Sequence, residues 1–312
     1  MKKISIIFSF YNEEKTIDFS TQKIVNALNE NKETDYEIIF VNDNSSDNSL
    51  DKIYKLREKN NKIKIINLSR RFGHMHGIMA GLKNCTGDAA IYLDIDLQDP
   101  PEVINQMLNY YLNEDYDVVF TTRIRRHGEG FLKKIMSKIG YLILKKLTYI
   151  NMEVDSGDFK LISRKVIDHV ITFEEINPFF RFIVDYVGFK RKQIFYERQA
   201  RFHGQSKFPI GKKVINQFFE ISLFPFSDAP LRFIFWISWF FLIIFIFYVF
   251  YNFFNLIFNQ DLKLNIQDYL LTLVTLNFFA LGIFSSYLSS IFKEVKRRPN
   301  YIIKDKIGFD KK

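Results

Sequence analysis

Up to about residue 125 the chain alternates short apolar runs with longer amphipathic ones. Ile4–Phe10, Tyr36–Val41, Ile63–Leu68, Ala89–Leu93 and Asp117–Thr121 read as strands, each rich in β-branched or aromatic residues or closed by a polar turn. Between them Lys15–Asn29, Ser49–Glu58 and His74–Lys83 carry apolar positions at helical spacing. Strand runs that stay apolar on successive residues belong to strands buried on both faces. The pattern therefore predicts an α/β domain with a mostly parallel sheet covered by helices on both sides. In such sheets ligands sit beyond the carboxyl ends of the strands.

After about residue 230 the pattern changes. Phe233–Gln260 is 28 residues and Tyr269–Phe292 is 24 residues, neither holding a formal charge. At about 1.5 Å per helical residue the longer span reaches roughly 42 Å, more than the roughly 30 Å of a bilayer core. Both are expected to cross a membrane, with Trp236 and Trp239 as interfacial belt residues. Lys212–Phe226 mixes Lys212, Lys213, Gln217 and Glu220 with apolar positions, the make-up of a helix lying in the interface. Ile4–Tyr11 is too short for a signal segment and runs into Glu13 and Glu14. The expected organisation is a cytosolic catalytic domain over 1–210, an interfacial segment over 211–229, spans over 232–260 and 268–292, and a basic tail over 293–312. That tail holds eight Lys/Arg against three acids. The positive-inside rule puts it, and with two spans the N-terminal domain, on the cytoplasmic face of the inner membrane.

Composition sharpens this. The 312 residues hold 44 Lys+Arg against 35 Asp+Glu, for a formal charge of +9. Mean hydropathy is near zero, the average of a polar domain and two apolar helices. One cysteine, Cys85, excludes a disulfide framework or multi-cysteine zinc module and reads as a small buried residue. Residues 123–146 and 190–213 each carry eight Lys/Arg and one acid. With the tail they hold +19, so the rest of the chain is near -10. Such basic stretches between a soluble domain and a membrane would draw a phosphate presented at the interface. Nucleic acid is the other anion they could meet, but the apolar hairpin and the lack of a nucleic-acid module argue against it.

The polar signals gather at three strand ends. Leu93-Asp94-Ile95-Asp96-Leu97-Gln98 follows an apolar strand, and in extended backbone an i, i+2 spacing puts both carboxylates on one face. Converging carboxylates need a cation, and hard oxygen ligands suit Mg²⁺ or Mn²⁺ shared with substrate phosphates. Gln98 adds a neutral oxygen. Tyr11 and Glu13 end the first strand, where they could stack on a nucleobase and accept from ribose hydroxyls. Asn42-Asp43-Asn44-Ser45-Ser46-Asp47 ends the second. His74 and His76 lack a third metal ligand at sensible spacing and read as a helix-start polar pair. Gly73, Gly77 and Gly81, four apart, predict close helix–sheet packing.

These segments, with Ser69-Arg70-Arg71-Phe72-Gly73-His74, Ala80-Gly81-Leu82, Val118–Arg123, Gly157-Asp158-Phe159-Lys160 and Arg201–Lys207, resemble the family 2 glycosyltransferases of the GT-A (Rossmann-like) fold. The nearest resemblance is to the polyprenyl-phosphate glycosyltransferases, the dolichyl-phosphate mannose synthase and bactoprenol glucosyltransferase group. It implies an inverting transfer of a hexose from a nucleotide sugar to polyprenyl (undecaprenyl) phosphate, with UDP-glucose favoured over GDP-mannose or a UDP-N-acetylhexosamine. Tyr11, Glu13, Asp43 and Asp94 would hold the donor; Asp94, Asp96 and Gln98 the metal. Asp96 and Asp158 would be catalytic, and Arg123, Lys134, Ser137, Arg201, Ser206 and Lys207 would meet phosphates of donor or acceptor. A homo-oligomer and a flippase partner are further expectations of the resemblance. The chain departs from the family pattern at Ser9, Asn42, Asn44, Arg71 and Lys160. A processive polysaccharide synthase is disfavoured because Gln-x-x-Arg-Trp is absent. Transfer to another membrane glycolipid, or a non-catalytic nucleotide-sugar-binding scaffold, are the remaining alternatives.

Overall fold

The structure, a computed structural model, describes residues 1–96, 98–126, 156–176, 178, 180–198, 227–258 and 266–309. They form two compact units, one from the described residues of 1–198 with 298–309, the other from those of 227–297.

In the first unit β1 (Lys2–Phe10), α1 (Ile17–Glu30), β2 (Thr34–Asn42), α2 (Ser49–Lys59), β3 (Ile63–Leu68), α3 (His74–Asn84) and β4 (Ala89–Tyr92) alternate as the sequence pattern predicts. After them come α4 (Val103–Asn113), β5 (Val118–Arg126), β6 (Ser156–Ser163), α5 (Arg164–Val170), α6 (Phe180–Val187) and β7 (Arg191–Arg198). The strands make one sheet in the order β7-β5-β6-β4-β1-β2-β3-β8, where β8 is Ile303–Ile307. β4, β1, β2 and β3 are mutually parallel, while β6 and β8 run antiparallel to their neighbours. The region expected to be a plain basic tail thus supplies an edge strand.

Alternation along the strands explains the two cores. Ile4, Ile6, Phe8 and Phe10 face one side with Ile24, Leu28, Ile53, Ile104 and Met107. Ile7, Ile39 and Val41 face the other with Ile78, Met79, Leu82, Ile167 and Ile183. α3 packs closely on β1, as the glycine spacing predicts. A Cβ at Gly77 would lie 2.1 Å from Ser9 Oγ, and one at Gly81 would lie 2.3 Å from Ile7 Cγ2.

At the amino end of the parallel strands Glu37, 1% exposed, is a buried anion fully surrounded by donors. It accepts from Ser5 Oγ (2.6 Å), Thr86 N (2.6 Å) and Thr86 Oγ1 (2.9 Å), and pairs with Lys64 at 2.7 Å and Lys3 at 3.2 Å. Burial pushes its carboxyl up, but Lys64, Ser5 and the Thr86 amide outweigh it and hold the group at about 2. Cys85 is buried, as expected, with Arg164 against its sulfur.

The second unit contains α7 (Ala229–Phe258) and α8 (Ile266–Val295), each 30 residues or about 45 Å long. Both are long and apolar enough to cross a membrane. Their apolar side chains face outward: Trp236, Phe247, Phe278 and Leu288 are each about two-thirds exposed. α8 brackets the expected span 268–292, while α7 covers 232–258 of the first, whose last two residues lie outside the described residues. The expected interfacial segment over 212–226 lies outside the described residues.

Candidate active site

The carboxyl ends of β1 and β2 open into two loops that are stapled together. Phe10 O accepts from Asp43 N at 3.0 Å, extending the strand pairing by one bond. Asn12 and Asn44 both take positive φ, 54° and 58°, which turns the chain sharply away from each strand. Asn12 N donates to Ser45 Oγ at 3.1 Å, Asn12 Oδ1 accepts from Ser46 N at 2.8 Å, and Glu13 N donates to Ser49 Oγ at 2.8 Å. The side chains of the second turn thereby satisfy the amides of the first, and both become one rigid wall. Glu13 caps its own turn, its carbonyl accepting from Thr16 N and Ile17 N.

Asp43 holds a third loop to this wall. Its two carboxylate oxygens accept from Phe72 N at 2.6 Å and Gly73 N at 2.9 Å, just ahead of α3. Burial pushes this carboxyl above its ordinary value, against the two amides and the nearby Arg71 and His76 charges. Asp43, an expected donor ligand, thus already fixes the 71–74 loop through one bond to each carboxylate oxygen. That loop places the Arg71 guanidinium 4.0 Å over the ring of Tyr11. One face of the ring expected to stack on a base is therefore covered by a cation. His76 bridges further, its two ring nitrogens each 2.9 Å from a carbonyl, of Phe72 and of Ile176.

The fourth loop follows β4, which ends at Tyr92, so Asp94 and Asp96 lie beyond the strand. The extended-strand argument for a shared face therefore does not apply: 95–96 is a turn. Asp94 remains partly open with a side chain 34% exposed, whereas Asp96 is 4% exposed and accepts from Gln98 N at 3.2 Å. His74 Nε2 stands 3.5 Å from Asp94 Oδ1, and its Nδ1 is 3.3 Å from Ser9 O. Asp99 is buried and accepts a short hydrogen bond from the Tyr196 hydroxyl of β7. The carboxylate loop is thus fixed from both sides of the sheet. Tyr92 pairs in antiparallel register with Lys160; Asp94 stands two residues after the first and Asp158 two before the second. This antiparallel register brings Asp158 to the carboxyl end of β4. Lys160 itself is fully buried beside the same strand.

Of the expected site residues, Tyr11, Glu13, Asp43, Asp94, Asp96, Gln98 and Asp158 all fall at this end of the sheet. Arg123 lies in β5, paired through its backbone with Tyr196. Lys134, Ser137, Arg201, Ser206 and Lys207 lie outside the described residues. Four participants were not singled out by sequence reasoning: Arg71 as the cover of Tyr11, His74 as the neighbour of Asp94, and the Tyr196–Asp99 pair. His74 carried a signal, since it opens a helix whose glycines force it against β1; the other three depend on tertiary proximity.

The residues expected to hold a cation, Asp94, Asp96 and Gln98, are two carboxylates and a neutral amide in one loop after β4. That fits Mg²⁺ or Mn²⁺, which keep waters and substrate phosphates in their shell, better than a metal fully caged by protein.

The mixed, mostly parallel sheet with an acidic loop after the fourth strand is a GT-A (Rossmann-like) arrangement. The chain belongs to glycosyl transferase family 2, whose sequence profile matches residues 5–171. It is 35% identical to the uncharacterized glycosyltransferase YkcC of Bacillus subtilis over 99% of this chain and 95% of that one. It is 32% identical to the prophage bactoprenol glucosyl transferase homolog of Escherichia coli, over 97% of this chain and 98% of the other. The glucosyl-3-phosphoglycerate synthase of Mycobacterium tuberculosis overlays with a TM-score of 0.47 at 15% identity, covering 70% and 77% of the two chains.

Proposed function

We propose that this glycosyltransferase moves a hexose from a nucleotide sugar to the phosphate of a polyprenyl carrier at a membrane surface. The observation that carries this reading is the joining, in one chain, of a carboxylate-lined site at the strand ends with two long apolar helices. The near full-length similarity to proteins named bactoprenol glucosyl transferases supports the acceptor class and a glucosyl group; UDP-glucose is the donor we favour.

The fold supports a hairpin anchor by a topological argument. β8 is hydrogen-bonded to β3, and the chain reaches it only after α7 and α8. A strand must lie on the same side of a bilayer as the sheet it joins. Two crossings, one by each of α7 and α8, would meet that requirement. The excess of Lys/Arg in the last twenty residues favours the cytoplasmic side for sheet and tail.

Tyr11, Glu13 and the stapled turns would seat the nucleoside; Asp94 and Asp96, with Gln98, would hold Mg²⁺ or Mn²⁺. When bound, that cation neutralises charge developing on the leaving diphosphate. An acceptor phosphate oxygen attacks the anomeric carbon as its bond to the diphosphate oxygen breaks, and the nucleoside diphosphate leaves with that electron pair. A single displacement inverts the anomeric centre. A phosphate monoester is largely ionised near pH 7, its second pKa being about 6, so Asp158 positions the acceptor and no strong base is needed. Arg123, Lys134, Ser137, Arg201, Ser206 and Lys207 would draw the acceptor phosphate in from the interface.

The test incubates membranes containing the full-length protein with undecaprenyl phosphate and labelled UDP-glucose, GDP-mannose or UDP-N-acetylglucosamine. Label extracted into a lipid with one donor, dependent on added Mg²⁺ or Mn²⁺, is expected. No labelled lipid with any donor would sink the assignment.

A further inference from the structure

A polar rung crosses the sheet at the donor end. Phe10, Asn42, Asn67 and Asp305 are successive register partners across β1, β2, β3 and β8. Asn67 Nδ2 donates to Asp305 Oδ1 at 2.6 Å and lies 3.3 Å from the Tyr54 hydroxyl. Asn67 Oδ1 accepts from Asn42 Nδ2 at 3.1 Å, and Asn42 Oδ1 accepts from Ser45 N at 2.8 Å. Asn42 and Asn67 are 4% and 5% exposed, so their amides cannot exchange these partners for bulk water.

The chain of bonds has a direction. A carboxylate accepts only. Asp305 therefore turns the NH₂ of Asn67 toward itself, which leaves the Asn67 oxygen for Asn42. Asn42 must then present its NH₂ to Asn67 and its oxygen to the Ser45 amide. Asp305 at one end and the Ser45 amide at the other thus agree on one orientation of two buried amides, and the bonds tie the last strand to the turn beside Asp43. We infer that Asp305 is a positioning residue for the nucleotide-binding turn, so that the donor site is complete only when the chain beyond α8 has returned to the sheet. The inference rests on the proposed seating of the donor at the 43–47 turn.

Asp305 is not what docks the strand. The ladder to β3 runs from Ile303 to Ile307. Ser69 N donates to Ile302 O at 2.9 Å, Asn300 Nδ2 to Glu175 O at 2.7 Å and Lys306 Nζ to Asn84 Oδ1 at 2.8 Å. Removing one carboxylate leaves all of these in place.

The experiment compares full-length wild type, Asp305→Ala and Asp305→Asn in lipid nanodiscs, using UDP-glucose and GDP-mannose as donors and undecaprenyl phosphate as acceptor. Asp305→Ala is expected to raise the donor KM about threefold to tenfold, the worth of one hydrogen bond. The kcat and acceptor KM should stay within about twofold, and Asp305→Asn, whose carbonyl oxygen still accepts, should recover most of the loss. Amide hydrogen exchange at Ser45 and Ser46 should quicken in Asp305→Ala, a readout independent of turnover. An unchanged donor KM with unchanged exchange, or an equal loss in Asp305→Asn, overturns the inference. If Tyr11→Ala raises the donor KM while Asp305→Ala does not, only this inference fails. If Tyr11→Ala and Asp96→Asn leave transfer intact, the donor-site reading fails with it.

Discussion

Gly77→Ala isolates the packing that places α3, and with it His74, against the catalytic end of the sheet. The added Cβ would sit 2.1 Å from Ser9 Oγ and 2.7 Å from Ser9 Cβ, with Val41 Cγ1 at an ordinary 3.6 Å. Rotating the Ser9 hydroxyl relieves the first contact but not the second, so helix or strand must shift. Overpacking of this kind costs about 1–3 kcal/mol. Alanine returns up to about 1 kcal/mol through its better helix propensity. The net loss is about 1–2 kcal/mol, or roughly 2–8 °C in Tm for a unit of this size. Thermal unfolding in detergent at one fixed scan rate measures it. Ser9→Gly removes both clashing atoms, so Ser9→Gly/Gly77→Ala should recover most of the loss suffered by Gly77→Ala. Gly282→Ala, with nothing within 4 Å of its new Cβ, should show none. A Gly77→Ala protein as stable as wild type, or no recovery in the double variant, would refute the reasoning.

Glu37 gives a pH prediction: its folded value of about 2 lies below the ordinary 4.5. A depressed carboxyl contributes stability above its unfolded value and loses it as pH falls from about 4.5 toward 2. The difference of 2.5 corresponds to about 3 kcal/mol; Tm against pH should show that drop in wild type and lack it in Glu37→Gln. Asp43→Asn replaces an anion serving two amides with one acceptor oxygen, so it should cost about 1–3 kcal/mol and raise the donor KM; an unchanged KM would remove Asp43 from the donor wall. Tyr196→Phe removes one hydrogen bond from the buried Asp99 carboxylate, and a fall in kcat larger than the change in donor KM is expected in steady-state assays.

The strand ends were legible because a parallel sheet concentrates its polar turns there. Ile63–Leu68 matches β3 residue for residue, and Ser49 and His74 start their helices where the pattern breaks. α4 carried a readable signal as well: Val103, Ile104, Met107, Leu108 and Tyr111 are all buried and recur at helical spacing behind Pro100-Pro101. β8 did not. Its Lys304, Asp305 and Lys306 make a charged run, its two isoleucines are only half-buried, and its partner strand lies more than 230 residues away. The same limit hid the site's closest contacts. Arg71 on Tyr11, His74 beside Asp94 and Tyr196 on Asp99 are pairs that only the β7-β5-β6-β4-β1-β2-β3 order brings together. The i, i+2 spacing of Asp94 and Asp96 pointed to the loop after β4, but the shared strand face it invoked is absent, since β4 stops at Tyr92.

The central claim is sugar transfer to a polyprenyl phosphate by the carboxylate loop after β4. The most direct measurement follows a single turnover of purified full-length protein in nanodiscs holding undecaprenyl phosphate, with labelled UDP-glucose and Mn²⁺, in wild type and Asp96→Asn. The account predicts a labelled undecaprenyl phosphoglucose of inverted anomeric configuration from wild type and none from Asp96→Asn, with both proteins showing the same Tm. Equal product from a folded Asp96→Asn protein, or product that retains the donor's anomeric configuration, would contradict it.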